Sequence, residues 1–130
     1  MKKVKFPIDW NSNKSVVLKN PKGRISPDLE RGLIWMATSG TKAKKWVGLS
    51  REAILISAEA VNQHLSVTAN DHWVHPLPDF HIAGVSVWAR SYLSGCTVEN
   101  VKWDPLNFPK GTITSLVPAM VWDLVRNKVQ

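Results

Sequence analysis

One cysteine, Cys96, stands in the whole 130-residue chain. That excludes an internal disulfide and a cysteine-rich zinc site, and it fits a reducing compartment. Long apolar runs are missing as well. None approaches the ~18 residues of a membrane-spanning helix, and the basic start Met1-Lys2-Lys3-Val4-Lys5 leads into Phe6-Pro7-Ile8-Asp9 instead of an apolar signal core. These absences predict a soluble, untargeted protein with the cytoplasm as its default location. Internal repeats and low-complexity segments are absent too. What is present is ordinary for a folding sequence: 44% hydrophobic and 21% charged residues, which argues against wholesale disorder, a collagen-like repeat or a coiled-coil rod. The length allows one domain, or part of one, and is too short for a complete multi-domain enzyme.

Acidic residues are scarce, 10 against 17 Lys+Arg, and the imbalance is local. Residues 1–51 hold 12 Lys/Arg and three acids, whereas residues 52–130 hold five and seven. A positive end suits phosphates, whether of a nucleotide, a nucleic acid or a membrane surface; it also serves plain solubility. No dense basic run is interleaved with stacking aromatics. The seven tryptophans, Trp10, Trp35, Trp46, Trp73, Trp88, Trp103 and Trp122, are spread along the chain, often inside apolar segments, and read as core filler.

Residues 1–31, rich in Asn, Lys, Ser and Pro around one apolar island, Val16-Val17-Leu18, predict a loosely structured first segment with one short strand; residues 32–130 predict an α/β unit. The run 33–37 reads as a strand buried on both faces, followed by a turn and a lysine-bearing loop over 42–45. The clearest helix spans 50–66. Ser50 caps it, Leu49 packs on Ile54 as a hydrophobic staple, and Ile54, Ala58, Val61 and Leu65 form one stripe, with Arg51, Glu59, Asn62 and Gln63 largely off it. A strand near 72–75 ends at Pro76-Leu77-Pro78. Residues 82–93 are apolar almost all round, as a helix covered on several sides would be, and Ser94-Gly95 ends it. Strands near 96–101 and 113–117 follow, then a helix over 119–127 opened by Pro118. Strands alternating with helices predict right-handed crossovers and a mostly parallel sheet flanked by helices.

The turn Ala37-Thr38-Ser39-Gly40-Thr41 follows a buried strand and precedes Lys42, Lys44 and Lys45. Small residues let backbone N–H groups converge, hydroxyls add donors and lysine adds charge, so an α/β protein can hold a phosphate here. An ordinary strand-to-loop turn has the same composition. The nucleoside-triphosphatase pattern Gly-x4-Gly-Lys-Ser/Thr is absent.

Four ordered blocks add to this: Thr38-Ser39-Gly40-Thr41 with Lys45; Leu77-Pro78-Asp79-Phe80-His81-Ile82-Ala83-Gly84; Leu93-Ser94-Gly95-Cys96-Thr97-Val98; and Thr114-Ser115-Leu116-Val117-Pro118. In order and spacing they resemble the amino-terminal part of the acyl-adenylating (AMP-binding, acyl-CoA synthetase) enzymes, and most of all the o-succinylbenzoate–CoA ligases of menaquinone biosynthesis, over roughly residues 33–125. The resemblance implies a carboxylate activated by ATP and Mg, pyrophosphate released, and the acyl group passed from AMP to coenzyme A. It implies that Thr38, Ser39, Gly40, Thr41 and Lys45 hold the ATP phosphates, that His81 lines the acyl pocket, and that backbone at Gly84 approaches closely near that pocket, as part of the substrate site. It assigns no catalytic residue and no metal ligand within this chain.

Two departures qualify it. The family loop reads Thr-Ser-Gly-Thr/Ser-Thr/Ser-Gly-x-Pro-Lys; here it is one residue shorter and lacks the second Gly and the Pro, which leaves open which of Lys42, Lys44 and Lys45 faces phosphate. The adenine-binding Tyr-Gly-x-Thr-Glu segment, the ribose-binding aspartate, the hinge and the lysine-bearing carboxy-terminal domain have no counterpart among these residues. The chain is therefore expected to be an inactive amino-terminal fragment of such a ligase, with apolar faces that later elements would cover. Self-association as a homodimer is the expected consequence.

The remaining candidates read as structural. His72 and His75 are three apart on a strand and point to opposite faces, which argues against a metal site; His64 is a surface or boundary residue of a helix; Cys96 is a small core hydrophobe. Asp71, Asp79 and Asp104 form no recognisable acid–base pair. The alternative function is a small basic module that binds nucleic acid or another polyanion.

Overall fold

A computed structural model describes residues 8–18, 32–37 and 45–127. The elements in order are β1 (Val16–Val17), β2 (Leu33–Ala37), β3 (Trp46–Ser50), α1 (Arg51–Leu65), β4 (His72–His75), α2 (Ile82–Ser94), β5 (Thr97–Asn100), β6 (Ile113–Thr114) and α3 (Pro118–Arg126). They form two three-stranded sheets, ordered β1-β2-β3 and β5-β4-β6. The second is wholly parallel, with Trp73 opposite both Val98 and Ile113. In the first, β1 runs parallel to β2, whereas β3 returns antiparallel with Trp35 opposite Gly48. The architecture is α/β as read from the sequence, and most strand pairings are parallel.

The first sheet departs from the sequence reading. The lysine-bearing approach to α1 ends in a strand, β3, where a loop passing straight into the helix is predicted. Trp35 explains the cryptic strand: a Cβ on Gly48 would lie 3.0 Å from the Trp35 ring and 2.8 Å from Leu33 Cδ1, so the indole lies across the strand where only glycine leaves room. The run 33–37 also buries one face more than the other. Ile34 and Met36 enter the core, while Leu33 and Trp35 are half-buried.

α2 joins the two sheets. Its Val85 and Ala89 pack with Ile54 and Ala58 of α1, Ile34 and Met36 of β2, and Ile8 and Leu18. Its Val87 packs on the other side with Trp73 and Cys96, beside Val67, Val98 and Ile113. That double contact is why the 82–93 segment is apolar almost all round. Cys96 is a buried core residue. Two polar positions of α1 assigned outward from the sequence turn inward. Arg51 is buried and donates from Nε to the Asp9 carbonyl (2.8 Å) and from Nη1 to the Gly32 carbonyl (3.2 Å), and buried Asn62 donates from Nδ2 to the Arg90 carbonyl (3.0 Å).

The start of α1 is capped as the sequence indicates: Ser50 Oγ accepts from the Ala53 backbone N–H at 3.1 Å, and Leu49 packs on the cluster that contains Ile54. Ser50→Ala is expected to lower stability by about 1 kcal/mol, read as a shift of the urea midpoint with an unchanged slope. No change in midpoint would show that the cap bond contributes nothing.

Candidate functional site

In an open α/β sheet, ligands bind outside the carboxyl ends of the strands, where the strand order reverses. In the parallel sheet β5 and β6 flank β4 on opposite sides, so that point lies at the end of β4. The chain leaves β4 at His75 and reaches α2 through residues 76–81. Pro76 and Pro78 have no N–H to offer a neighbouring strand, so the sheet ends here and the chain turns out across its edge.

His81 is the N-cap residue of α2, in extended backbone conformation, and its side chain makes no capping bond. Its carbonyl accepts from the Gly84 and Val85 amides, both at 3.0 Å. The imidazole, half-buried, sits 4.6 Å from the Phe80 ring, centre to centre. A ring so placed lies near the positive end of the helix dipole, a position that favours an anionic ligand. Gly84 stands in the first turn of α2, where a Cβ would come within 2.0 Å of the Pro78 carbonyl oxygen. The turn thus lies directly on the helix and leaves no room for a side chain at Gly84.

Asp79 ties this turn down. Oδ1 accepts from His75 Nε2 (2.9 Å) and Trp88 Nε1 (2.7 Å), and Oδ2 accepts from Asn100 Nδ2 (3.1 Å). Partial burial pushes the Asp79 carboxyl upward, but the hydrogen bonds from His75, Trp88 and Asn100, with the attraction of His75, outweigh it, and the net shift is below the usual aspartate value. His75 is fully buried and meets the Trp88 ring edge-on at 5.9 Å. From the sequence, Asp71, Asp79 and Asp104 form no recognisable acid–base pair, and the contact of Asp79 with His75 is not legible there. The missed signal is the spacing His75-x3-Asp79 across a strand end, where a turn can fold a carboxylate back onto the last strand residue.

Of the other sequence-derived candidates, Lys45 is exposed, immediately before β3, and Thr38, Ser39, Gly40 and Thr41 lie outside the described residues, as do Lys42 and Lys44. His72 and His75 are held apart by their own partners: His72 meets Thr97 Oγ1 through Nδ1 and Glu99 Oε2 through Nε2, each at 2.8 Å. No group of three or more His, Cys, Asp or Glu able to hold a metal ion occurs among the described residues. No described helix is long and apolar enough to cross a membrane.

Comparison with models of known protein families finds no match. Individual proteins do match. A 2-succinylbenzoate–CoA ligase of Enterococcus faecalis is 32% identical over 106 residues, which is 75% of this chain and 22% of that protein. The solved o-succinylbenzoate coenzyme A synthetase of Bacillus subtilis in complex with AMP superposes with a TM-score of 0.62 at 30% identity, over 72% of this chain and 21% of that one. The same Bacillus enzyme in complex with its acyl-adenylate intermediate gives 0.62 and 30% over 71% and 26%. The chain spans about one fifth of the length of the curated relative, 22%. Sequence likeness and fold likeness thus converge on the same enzymes: over about three quarters of its own length (75%) the chain is similar to one part of the o-succinylbenzoate–CoA ligases.

Proposed function

We propose that this chain supplies part of the adenylating unit of an ATP-dependent acid–CoA ligase acting on o-succinylbenzoate, with residues 1–31 as its first segment and 32–130 as its α/β part. The observation that carries the reading is the placement of His81. It is unengaged in capping, at the amino end of α2 and at the carboxyl edge of the parallel sheet, in a chain similar to an enzyme solved with its acyl-adenylate. In the whole enzyme the substrate carboxylate oxygen would attack the α-phosphorus of Mg-bound ATP and pyrophosphate would leave; the coenzyme A thiol would then attack the acyl carbon and AMP would leave. Within this chain, Thr38, Ser39, Gly40, Thr41 and Lys45 would neutralise charge on the departing phosphates, which lowers the barrier to in-line displacement. His81 and the backbone at Gly84 would border the acyl group.

The test is competition. Mg-ATP or pyrophosphate should protect the chain's tryptophan fluorescence from change by a single-stranded oligonucleotide, and Lys45→Ala should weaken the ATP effect about tenfold, the loss of one charge-assisted contact. Preference for the oligonucleotide would sink the reading in favour of a polyanion-binding module. Pyrophosphate release from o-succinylbenzoate, ATP and Mg is expected to be undetectable with these 130 residues alone. We also propose a second copy of this chain as a partner.

A further inference from the structure

The turn between β4 and α2 has little backbone bonding of its own. Pro76 and Pro78 cannot donate, and the His81 N–H reaches the Pro78 carbonyl only at 3.4 Å. Side chains must therefore fix it. The Asp79 carboxylate takes hydrogen bonds from three separate elements: His75 closing β4, Trp88 one helical turn beyond Gly84 on α2, and Asn100 closing β5. From these contacts we infer that Asp79 is the positioning residue of the His81 turn, holding its backbone against α2 and both strand ends and so setting the direction in which the His81 ring is presented. The inference rests on the reading of His81 as a substrate-facing group.

The linkage can be followed atom by atom. Trp88 Nε1 joins Asp79 to α2, and the first turn of α2 is bonded to the His81 carbonyl through the Gly84 and Val85 amides. An ionised carboxylate only accepts, so His75 presents its proton on Nε2 towards Asp79. Removing the carboxylate strands donors on His75, Trp88 and Asn100 together. Asparagine, by contrast, keeps one oxygen for His75 and Trp88, and its amide can donate to Asn100 once that side chain turns over. The geometry, more than the charge, does the positioning, and this separates Asp79→Ala from Asp79→Asn.

The experiment uses the full chain, labelled for NMR. In Asp79→Ala, amide exchange at Gly84 and Val85 should accelerate about tenfold or more while the β2–β3 amides change less than about twofold, and the Overhauser contact between the Phe80 and His81 rings should disappear. Asp79→Asn should keep both near wild type. Unchanged exchange and ring contact in Asp79→Ala, uniform acceleration across the chain, or Asp79→Asn behaving as Asp79→Ala would each overturn the inference. Should Asp79→Ala fail to fold, Asn100→Ala removes a single donor and should accelerate only the same two amides; uniform or absent acceleration there overturns it too. An o-succinylbenzoyl-adenylate analogue added to the wild type separates the two claims. Local exchange as expected without perturbation of His81 by the analogue refutes the substrate-facing reading and leaves the positioning intact.

Discussion

Gly84→Ala is expected to remove about 3–4 kcal/mol of stability, placing it among the severe single substitutions. The added Cβ would stand 2.0 Å from the Pro78 carbonyl oxygen and 2.8 Å from the Pro78 carbonyl carbon. Both are backbone atoms, so no flexible side-chain tip can give way. Either the 76–81 turn lifts off α2 or the first turn of α2 unwinds, and both movements pull Trp88 away from Asp79, whose contact is 2.7 Å. Alanine's better helix propensity returns only about 1 kcal/mol. A natural control lies at the other end of the same helix. Gly95 adopts φ +77°, and a Cβ there would meet only Ala69 Cβ at 3.5 Å, so Gly95→Ala costs conformational strain of about 1–2 kcal/mol and no clash. Urea titrations of the two variants should show the larger midpoint loss for Gly84→Ala. Equal losses would mean that the turn yields without penalty. For a small domain with 5–15 kcal/mol in total, roughly, the loss at Gly84 is large enough to leave a detectable unfolded population.

Much of this arrangement is legible in the sequence where local chemistry and packing agree. Ser50, Leu49 and the stripe from Ile54 announce α1 because cap, staple and periodicity point the same way. The all-round apolarity of 82–93 announces a helix covered on several sides; two clusters do pack on it, while Ile82, Tyr92 and Leu93 stay exposed. β3 is hidden because its signal is tertiary. Val47-Gly48-Leu49 follows a lysine cluster and carries a glycine at its centre, and the Leu33 and Trp35 side chains lying across the strand account for that glycine. The buried state of Arg51 is hidden for the same reason, since its partners are the Asp9 and Gly32 carbonyls, far off in the chain. At the candidate site, His81 and Gly84 are recognisable only by family resemblance, and the proline-bounded turn marks the strand end by itself. The role of Asp79 needs β4, α2 and β5 in place, because its donors come one from each. The split into two sheets is likewise beyond a reading of strand–helix alternation, which gives the order of elements but not which strands share an edge.

The chain should also associate with a second copy of itself. α3 has no buried residue, yet Val117, Val121, Trp122 and Val125 recur at helical spacing, with Trp122 and Val125 each 65% exposed. Such a stripe normally lies on another element. Were the patch ~400 Å², it would fall in the range of the largest apolar patch on an ordinary monomer, which is often a functional one. Its burial is worth at most about 10 kcal/mol at 25 cal/mol per Å². Association entropy and side-chain ordering offset much of that, which leaves micromolar affinity within reach of two stripes packed face to face about a two-fold axis, the commonest closed arrangement. Trp122 supplies the largest apolar area in the stripe and is the natural anchor. Sedimentation equilibrium at micromolar concentration is therefore expected to show mass above the 14.6 kDa of the single chain, and Trp122→Lys should return it to the monomer without altering the circular dichroism of the fold. Wild-type protein sedimenting as one species at 14.6 kDa would refute the pairing, and a Trp122→Lys variant still dimeric would move the interface away from α3 to the open edges at β5 or β6.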